Sequence, residues 1–268
     1  MSWSSRDRIP ARDSHPSSMN VLYHLTILPP VRPACEAISQ DISALRSRFD
    51  GDVIYLNPNR ALPFSVPRLA FGFHRLRQLR TLEVDVHIHH VYNPDPFPFP
   101  ILRILHKPVV YSLTGGVKGK RINKRFFGSM AAVTVMDEAS LEYLKRCGLE
   151  NVFLVRSGID TNRFSSNPLP LRSEIRLMVG SAPWVLSQFK SKGIDALLQA
   201  AQRFPRLHLV FLWRGVLTER MERRVQRMGL KNRVKVLDEV VDVNQVLAGV
   251  HASVALAAKP DIVKAYPH

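Results

Sequence analysis

The feature that most constrains the fold is an alternation of short β-rich runs with longer helical patterns, which occurs twice along the chain. The first series extends from an apolar run at 21–28 to another at 152–155, and the second from 175–179 to 252–257. Between them, residues 157–172 contain Asn, Ser and Pro with little periodicity, which is typical of a linker. Strand–helix alternation indicates parallel sheets with helices on both faces. The sequence therefore predicts an α/β protein with two doubly wound, Rossmann-like domains.

The same pattern sets the expected domain boundaries. A length of 268 residues suits two domains, since roughly 150 residues per domain is usual. Residues 1–18 are polar and lack the apolar middle of a secretory signal, so we expect a disordered leader there. We expect an N-terminal domain over 19–165 and a C-terminal domain over 166–268. The run at 252–257 leads into a Pro-containing loop with no element after it, so we expect the second domain to be incomplete.

Composition limits the class of protein and of partner. No apolar run approaches the roughly 18–20 residues that cross a bilayer. The two cysteines, Cys35 and Cys147, could pair, but so few thiols suit a reducing cytoplasm. The formal net charge of +16 predicts an anionic partner: nucleic acid, a lipid surface or a phosphorylated small molecule.

The strongest local pattern is a loop that leaves the strand at 175–179 and enters a helix predicted over 194–204. The loop begins with Gly180 and Ser181, and Lys190, Lys192 and Gly193 come just before the helix. A helix N-terminus offers N–H groups and a partial positive charge, to which two ammonium groups add, and this combination suits a diphosphate. The alternative is a solvated Lys-rich loop.

Three further patterns each have a plain structural explanation. The glycines in Thr114-Gly115-Gly116 follow a strand and would allow close approach of a ligand, or make a simple turn. His87 and His89 have the period of one strand face and could hold a metal, but strand-edge histidines explain them better, so no metal site is predicted. The acidic pair around Gly51 is best explained as a helix-to-strand turn.

Two basic stretches contain aromatic residues. The stretch from Arg60 to Arg80 has five arginines and no acid, and it includes Phe64 and Phe73. The second stretch runs from Lys118 to Arg125 and is followed by two phenylalanines at 126 and 127. Basic residues beside exposed aromatics favour an anionic lipid surface and would also suit nucleic acid. The alternative is core aromatics with a solvated basic face.

Several of these segments together resemble family 4 of the retaining glycosyltransferases. The inter-domain signature of that family is similar to the run from Val133 to Leu144, followed by Gly148 and then by 151–164, which ends in Gly158-Ile159-Asp160 and Phe164. The Lys192-Gly193 unit before a helix resembles the nucleotide-diphosphate site of the family. The run 264–268 resembles the approach to its acidic donor-binding helix, so we expect that acidic pair beyond His268.

The resemblance implies a GT-B fold, with an acceptor-binding first domain and a nucleotide-sugar-binding second domain. It implies transfer with retention, without metal or cofactor. Lys192, with Lys190 in support, would stabilise the departing diphosphate together with Gly193 and Ser181. A catalytic role falls to Thr114, and Gly115, Gly116, Pro267 and His268 would line the cleft.

Two functional hypotheses follow. The first is a cytoplasmic glycosyltransferase, represented here by a fragment, that acts on a nucleotide-sugar and a sugar or lipid-linked acceptor, at the inner face of the membrane if the acceptor is lipid-linked. The second is a non-catalytic basic module that binds an anionic membrane or nucleic acid; for the transferase, nucleic acid is disfavoured as a partner.

Overall fold

The computed structural model describes residues 19–27, 37–58, 64–117, 119–156, 158, 161–164, 173–180, 182–183, 185–213, 217–238 and 242–256. They form two parallel sheets, the first from strands before residue 155 and the second from strands after residue 174. The predicted leader, the residues Cys35, Ser181, Pro267 and His268, and most of the predicted linker lie outside the described residues.

The first sheet has six strands, all parallel, in the order β2-β1-β3-β4-β5-β6. Its strands are β1 (Val21–Leu25), β2 (Val53–Tyr55), β3 (Ile88–Asn93), β4 (Val109–Leu113), β5 (Ala132–Val135) and β6 (Val152–Leu154). Its helices are α1 (Ala37–Arg46), α2 (Leu76–Glu83), α3 (Lys124–Phe127) and α4 (Glu138–Arg146), with short 3₁₀ turns at Arg68–Ala70, Phe73–Arg75 and Pro100–Ile104.

The second sheet has four parallel strands in the order β10-β7-β8-β9. Its strands are β7 (Ile175–Val179), β8 (Leu207–Leu212), β9 (Val234–Leu237) and β10 (Ala252–Val254). Its helices are α5 (Gln188–Ser191), α6 (Ile194–Arg203), α7 (Thr218–Arg227) and α8 (Val243–Leu247). A further 3₁₀ turn, Thr161–Arg163, lies between the two sheets in sequence.

Helical periodicity explains how α6 packs on the second sheet. Its residues Ile194, Leu197, Leu198 and Ala201 recur at helical spacing, and all four are buried. They form one core with Phe211 and other residues of the strands and of α7. The first sheet has two cores because it is packed on both faces, with α1 against one face and the larger cluster on the other. The predicted α/β class with two parallel sheets is confirmed.

The sequence placed one strand too early. It predicted a strand over 85–89 followed by a stiff loop from Tyr92, whereas β3 begins at Ile88 and extends through Asn93. The cause is the turn that ends α2: the backbone N–H of Asp85 still donates to the carbonyl of Leu82, so the chain becomes extended only after it. Pro94 then ends the ladder, because proline has no N–H to donate to a neighbouring strand.

The second basic stretch does not present its aromatic residues to solvent. Asn123 caps α3 by accepting a hydrogen bond from the backbone N–H of Phe126, and Phe126 and Phe127 are both buried. Their rings contact Tyr111 edge-on inside the larger core of the first sheet. Of the two alternatives for this stretch, the one with core aromatics therefore holds, and these two residues stabilise the fold.

Candidate functional site: the carboxyl edges of the two sheets

The predicted diphosphate loop lies at the carboxyl end of β7. Gly180 leaves the strand, α5 follows, and α6 begins directly after Gly193. Gly193 is the N-cap of α6 and has a φ of 67°, a left-handed conformation that favours glycine. Since glycine has no side chain, the N-cap residue itself accepts nothing from the first-turn N–H groups of α6. This helix N-terminus can therefore donate hydrogen bonds to an anion.

A second, steric reason requires glycine at position 193. A Cβ atom built there would lie 2.7 Å from the Cβ of Leu256, just after β10, and 2.9 Å from its Cδ1. Such contacts are far inside van der Waals distance, so the segment after β10 lies directly against the start of α6. The packing of Leu256 thus helps to fix the position of the N–H groups.

The two lysines of the loop have different environments. The Nζ of Lys192 donates a hydrogen bond of 2.8 Å to the carbonyl of Ala182 and so connects the α5–α6 junction to the loop after β7. Lys190 is exposed on α5. Lys192 therefore orders the loop, while Lys190 is accessible to an incoming anion.

The first turn of α6 also contains an acidic residue. Asp195 is partly buried, and its Oδ1 lies 2.6 Å from Nη2 of Arg224 on α7. A carboxylate in the first helical turn is favourable for the helix itself but repels an anionic ligand at the same terminus. The guanidinium of Arg224 offsets that charge.

At the carboxyl end of β4, Thr114 is buried, and its Oγ1 has no hydrogen-bond partner among the described residues. Its backbone N–H donates a hydrogen bond of 3.0 Å to the carbonyl of Asn93. A Cβ at Gly115 would lie 2.3 Å from the carbonyl oxygen of Pro94, whereas one at Gly116 would meet nothing within 4 Å. Gly115 is therefore required by the neighbouring loop, and Gly116 is the glycine with open space beside it.

Next to this turn lies a polar network that the sequence reasoning missed. The guanidinium of Arg68 makes two hydrogen bonds to the carboxylate of Asp95, 2.7 and 2.8 Å long. Asn93 donates to Asp95 at 2.7 Å, and Thr26 donates to the side-chain oxygen of Asn93. The guanidinium also lies 4.2 Å from the ring centre of Phe97. The network connects the carboxyl ends of β1 and β3.

Charge pairing governs the ionisation of this network. Burial opposes the charge on Asp95, yet the hydrogen bonds and the charge of Arg68 outweigh it and lower the pKa of that carboxyl group. Asp95 is therefore an anion at neutral pH. The sequence did not reveal this ion pair, because Arg68 lies far in sequence from the loop that contains Asp95.

The histidine pattern has a structural explanation. His87 precedes β3 and is exposed. His89 is buried, with its Nε2 3.0 Å from Oε1 of Glu83 and its Nδ1 2.9 Å from Nε2 of His24. Among the residues that the structure describes, no group of three or more His, Cys, Asp or Glu side chains could hold a metal ion. The acidic turn around Gly51 connects α1 to β2, as the sequence indicated.

Comparison with solved structures identifies the architecture. WaaG, a glycosyltransferase of lipopolysaccharide biosynthesis, matches with a TM-score of 0.58 at 13% identity, over 89% of this chain and 75% of that chain. The S. aureus epimerase MnaA, solved with UDP, matches with a TM-score of 0.53 at 13% identity, over 86% and 71%. S. aureus TarM, in complex with fondaparinux, α-GlcNAc-glycerol and UDP, matches with a TM-score of 0.50 at 14% identity.

These matches cover different shares of the solved chains. The match to TarM covers 68% of this chain but only 39% of that chain. No family model matches the sequence, and no curated protein matches it. At such low identity the similarity shows the fold, which is a GT-B arrangement of two Rossmann-like sheets. Within the described residues, no helix is both long and apolar enough to span a bilayer.

Proposed function

We propose that this chain belongs to a glycosyltransferase that moves a sugar from a nucleotide-sugar to an acceptor with retention and without a metal ion. The observation that carries the proposal is the N-terminus of α6, which has no side-chain cap and is flanked by Lys190 and Lys192. In such a transfer the bond from the sugar to the diphosphate breaks, and the diphosphate leaves with the electron pair. The acceptor oxygen bonds to the same sugar carbon, and its proton passes to the departing diphosphate. The helix terminus and the two ammonium groups stabilise the charge that develops on the departing oxygen.

Two features support this choice of ligand. The solved structures of MnaA and TarM, which share the fold, contain UDP. The loop also lies at the carboxyl edge of a parallel sheet, which is where open α/β sheets bind ligands. UDP is therefore the appropriate first probe.

Calorimetry with UDP tests the donor site. We expect UDP to bind the full chain, and Lys190→Gln to weaken binding several-fold, because a charge contact to a phosphate is lost. Lys231→Gln, which removes an exposed charge remote in sequence from the loop, serves as the control and should leave the affinity unchanged. Equal affinities for the two variants, or no UDP binding by a folded chain, would contradict the proposed site.

The acceptor side is tested at Thr114. Thr114→Val keeps the side-chain volume but removes the hydroxyl, whose oxygen has no partner among the described residues. If this hydroxyl contacts substrate, transfer should decrease while stability is unchanged or improved, since an unsatisfied buried group is costly. Unchanged transfer would remove Thr114 from the catalytic set. Incubation with a UDP-sugar and no acceptor separates transfer from epimerisation, since an epimerase needs no acceptor.

A second candidate function is attachment to an anionic membrane through the first basic stretch. Phe64, Leu69 and Phe73 are 63%, 60% and 42% exposed, so three large apolar side chains of this stretch face solvent. In the same stretch, His74, Arg75 and Arg77 line a groove of about 560 Å³. Apolar side chains next to basic ones favour an anionic bilayer surface.

Vesicle pelleting tests this second candidate. We expect the chain to pellet with phosphatidylglycerol vesicles but not with phosphatidylcholine vesicles. Replacing Arg75, Arg77 and Arg80 together with Gln should reduce pelleting, because each basic residue near the surface contributes about 1 kcal/mol. Unchanged pelleting of that triple variant would refute a membrane role for the stretch, and a shift of duplex DNA instead would favour nucleic acid.

A further inference from the structure

Helix α7 carries four arginines on a single stripe. Arg220, Arg223, Arg224 and Arg227 follow the spacing i, i+3, i+4, i+7, while Met221 and Val225 on the opposite side are buried against the sheet. Together with Leu186 and Phe189, the four arginines line a groove of about 910 Å³. We refer to it as the arginine groove. Its volume lies in the range of small-molecule binding pockets.

The carboxylates near the groove do not neutralise all four of its arginines. Arg224 pairs with Asp195 at 2.6 Å, and Arg223 pairs with Glu219 at 3.6 Å, where both side chains are exposed. Arg220 and Arg227 make no ion pair with any residue that the structure describes. Two uncompensated guanidinium groups, with a third only weakly paired, fit a ligand that carries more than one negative charge.

The groove favours a compact phosphate-bearing ligand over a polynucleotide. Guanidinium groups bind phosphate oxygens in a two-pronged geometry. The aromatic ring in the wall, Phe189, is 3% exposed and packs against Trp213, so it offers no face on which a base could stack. The apolar contribution comes from Leu186, which is 52% exposed at the rim.

The arginine groove is physically connected to the predicted diphosphate loop. Phe189 and Lys190 are neighbours on α5, and the guanidinium of Arg224 lies 5.5 Å from the ring centre of Phe189. Arg224 is also the residue that offsets the charge of Asp195 in the first turn of α6. An anion bound among the arginines would compete with Asp195 for Arg224. The carboxylate would then face the helix N-terminus without its counter-charge.

We propose that the arginine groove is a second anion site, for a soluble ligand with two or more phosphate groups, and that its occupation weakens diphosphate binding at α6. The coupling rests on the proposed donor site, whereas the groove as a binding site does not. A charge near a helix terminus contributes about 0.3–1 kcal/mol, which corresponds to about a two- to fivefold loss of diphosphate affinity. By linkage, a diphosphate at α6 weakens the groove ligand by the same factor.

The first experiment tests the groove alone, with inorganic tripolyphosphate as the probe in calorimetry. The variant Arg220→Gln/Arg227→Gln removes two arginines and keeps the pair between Arg224 and Asp195. We expect it to bind tripolyphosphate at least tenfold more weakly than the unmodified chain. The control Arg203→Gln/Lys231→Gln removes the same charge from exposed sites outside the groove and should change the affinity less than twofold. Equal weakening in both variants would overturn the groove site.

Further titrations distinguish the possible sources of the phosphate groups. A nucleoside triphosphate or a sugar bisphosphate that binds more tightly than tripolyphosphate identifies the organic part of the ligand. If only phosphatidylglycerol vesicles bind, and the groove variant abolishes that binding, the site is a membrane contact and the proposal of a soluble ligand is wrong.

The second experiment tests the coupling. UDP is titrated with and without saturating tripolyphosphate, and we expect a two- to fivefold lower UDP affinity in its presence. Asp195→Asn removes the carboxylate on which the mechanism depends, so UDP affinity should rise and the coupling should disappear. Persistent coupling in Asp195→Asn would refute the mechanism. If UDP does not bind at all, the proposed donor site fails, but the tripolyphosphate comparison still decides whether the groove binds anions.

Discussion

Replacing Glu83 at the end of α2 should remove a large part of the stability of the first sheet. The Glu83 side chain is nearly fully buried, and Oε1 accepts hydrogen bonds from His89 Nε2 at 3.0 Å, from the backbone N–H of His106 at 2.5 Å and from that of Lys107 at 3.0 Å. His106 Nδ1 lies 3.2 Å from Oε2. Glu83→Gln keeps the shape of the side chain but removes the charge that these donors solvate.

The shift in the pKa of Glu83 gives the size of the expected loss of stability. Burial opposes ionisation, but the hydrogen bonds from Lys107, His89 and His106 outweigh it and lower the pKa from 4.5 to about 2. A shift of this size corresponds to roughly 3 kcal/mol, since one pKa unit is worth about 1.4 kcal/mol. Because the folded-state pKa is depressed, this stability is fully present above pH 4.5 and is lost as the pH falls from 4.5 towards 2. We expect Glu83→Gln to lose about 2–3 kcal/mol at pH 7.

Urea unfolding followed by far-UV circular dichroism, at pH values from 7 to 3, measures this difference. Burial lowers the pKa of His89 and the Glu83 carboxylate raises it, so both proteins lose stability below pH 6.5 and the variant loses somewhat more. The part of the difference between unmodified chain and variant that comes from Glu83 itself changes only below pH 4.5. That difference should shrink by about 1.4 kcal/mol per pH unit below 4.5. Glu142→Gln, at an exposed position on α4, is the control and should cost under about 0.5 kcal/mol. A cost below about 1 kcal/mol at pH 7, or a difference independent of pH, would refute the reasoning.

Three further substitutions, the first with a matched control, test the carboxyl edges of the sheets. Gly115→Ala should destabilise by about 1–3 kcal/mol in thermal unfolding, because its Cβ would lie 2.3 Å from a backbone carbonyl, whereas Gly116→Ala should be nearly neutral. Equal Tm values for the two would contradict the packing at Gly115. Arg68→Gln should raise the pKa of Asp95, measured by NMR titration, because the main interaction that lowers it is lost; an unchanged pKa would show that Arg68 does not hold the carboxylate. Gly193→Ala should weaken both stability and UDP binding, since a left-handed φ and a Cβ contact of 2.7 Å both oppose it; a variant with unchanged UDP affinity would separate the glycine from the donor loop.

The sequence predicted most strands and helices because their apolar residues follow regular periods. Burial of Ile194 and Leu198 on α6, for instance, follows from helical spacing alone. The surface exposure of the aromatic side chains was less predictable, since Phe126 and Phe73 both lie within two residues of an arginine. One is buried because a capped turn directs it inward, and the other is exposed. Local sequence does not distinguish these outcomes, because the tertiary neighbours of each ring decide them.

The candidate sites were predictable to the extent that their residues are close in sequence. The Lys190–Gly193 loop could be identified because strand end, lysines and helix start follow one another along the chain. The ionic networks at the two sheet edges join segments that are distant in sequence, as Arg224 does with Asp195 and Arg68 does with Asp95. Such pairs depend on which helices become neighbours, and that depends on the sheet order.

The pairing of Asp195 with Arg224 bears on why an acidic residue occurs at a terminus proposed to bind a diphosphate. A first-turn carboxylate stabilises α6 when no ligand is bound, because it interacts with the positive end of the helix. Without Arg224, the same charge would oppose the ligand within one helical turn. The ion pair of 2.6 Å between Asp195 and Arg224 reconciles the two roles. The helix keeps its stabilising carboxylate, and the charge of that carboxylate is offset where the ligand would bind, with Lys190 nearby. It follows that Arg224→Gln should weaken UDP binding more in the unmodified chain than in an Asp195→Asn background, because in that background Arg224 has no carboxylate to hold and contributes only its own charge.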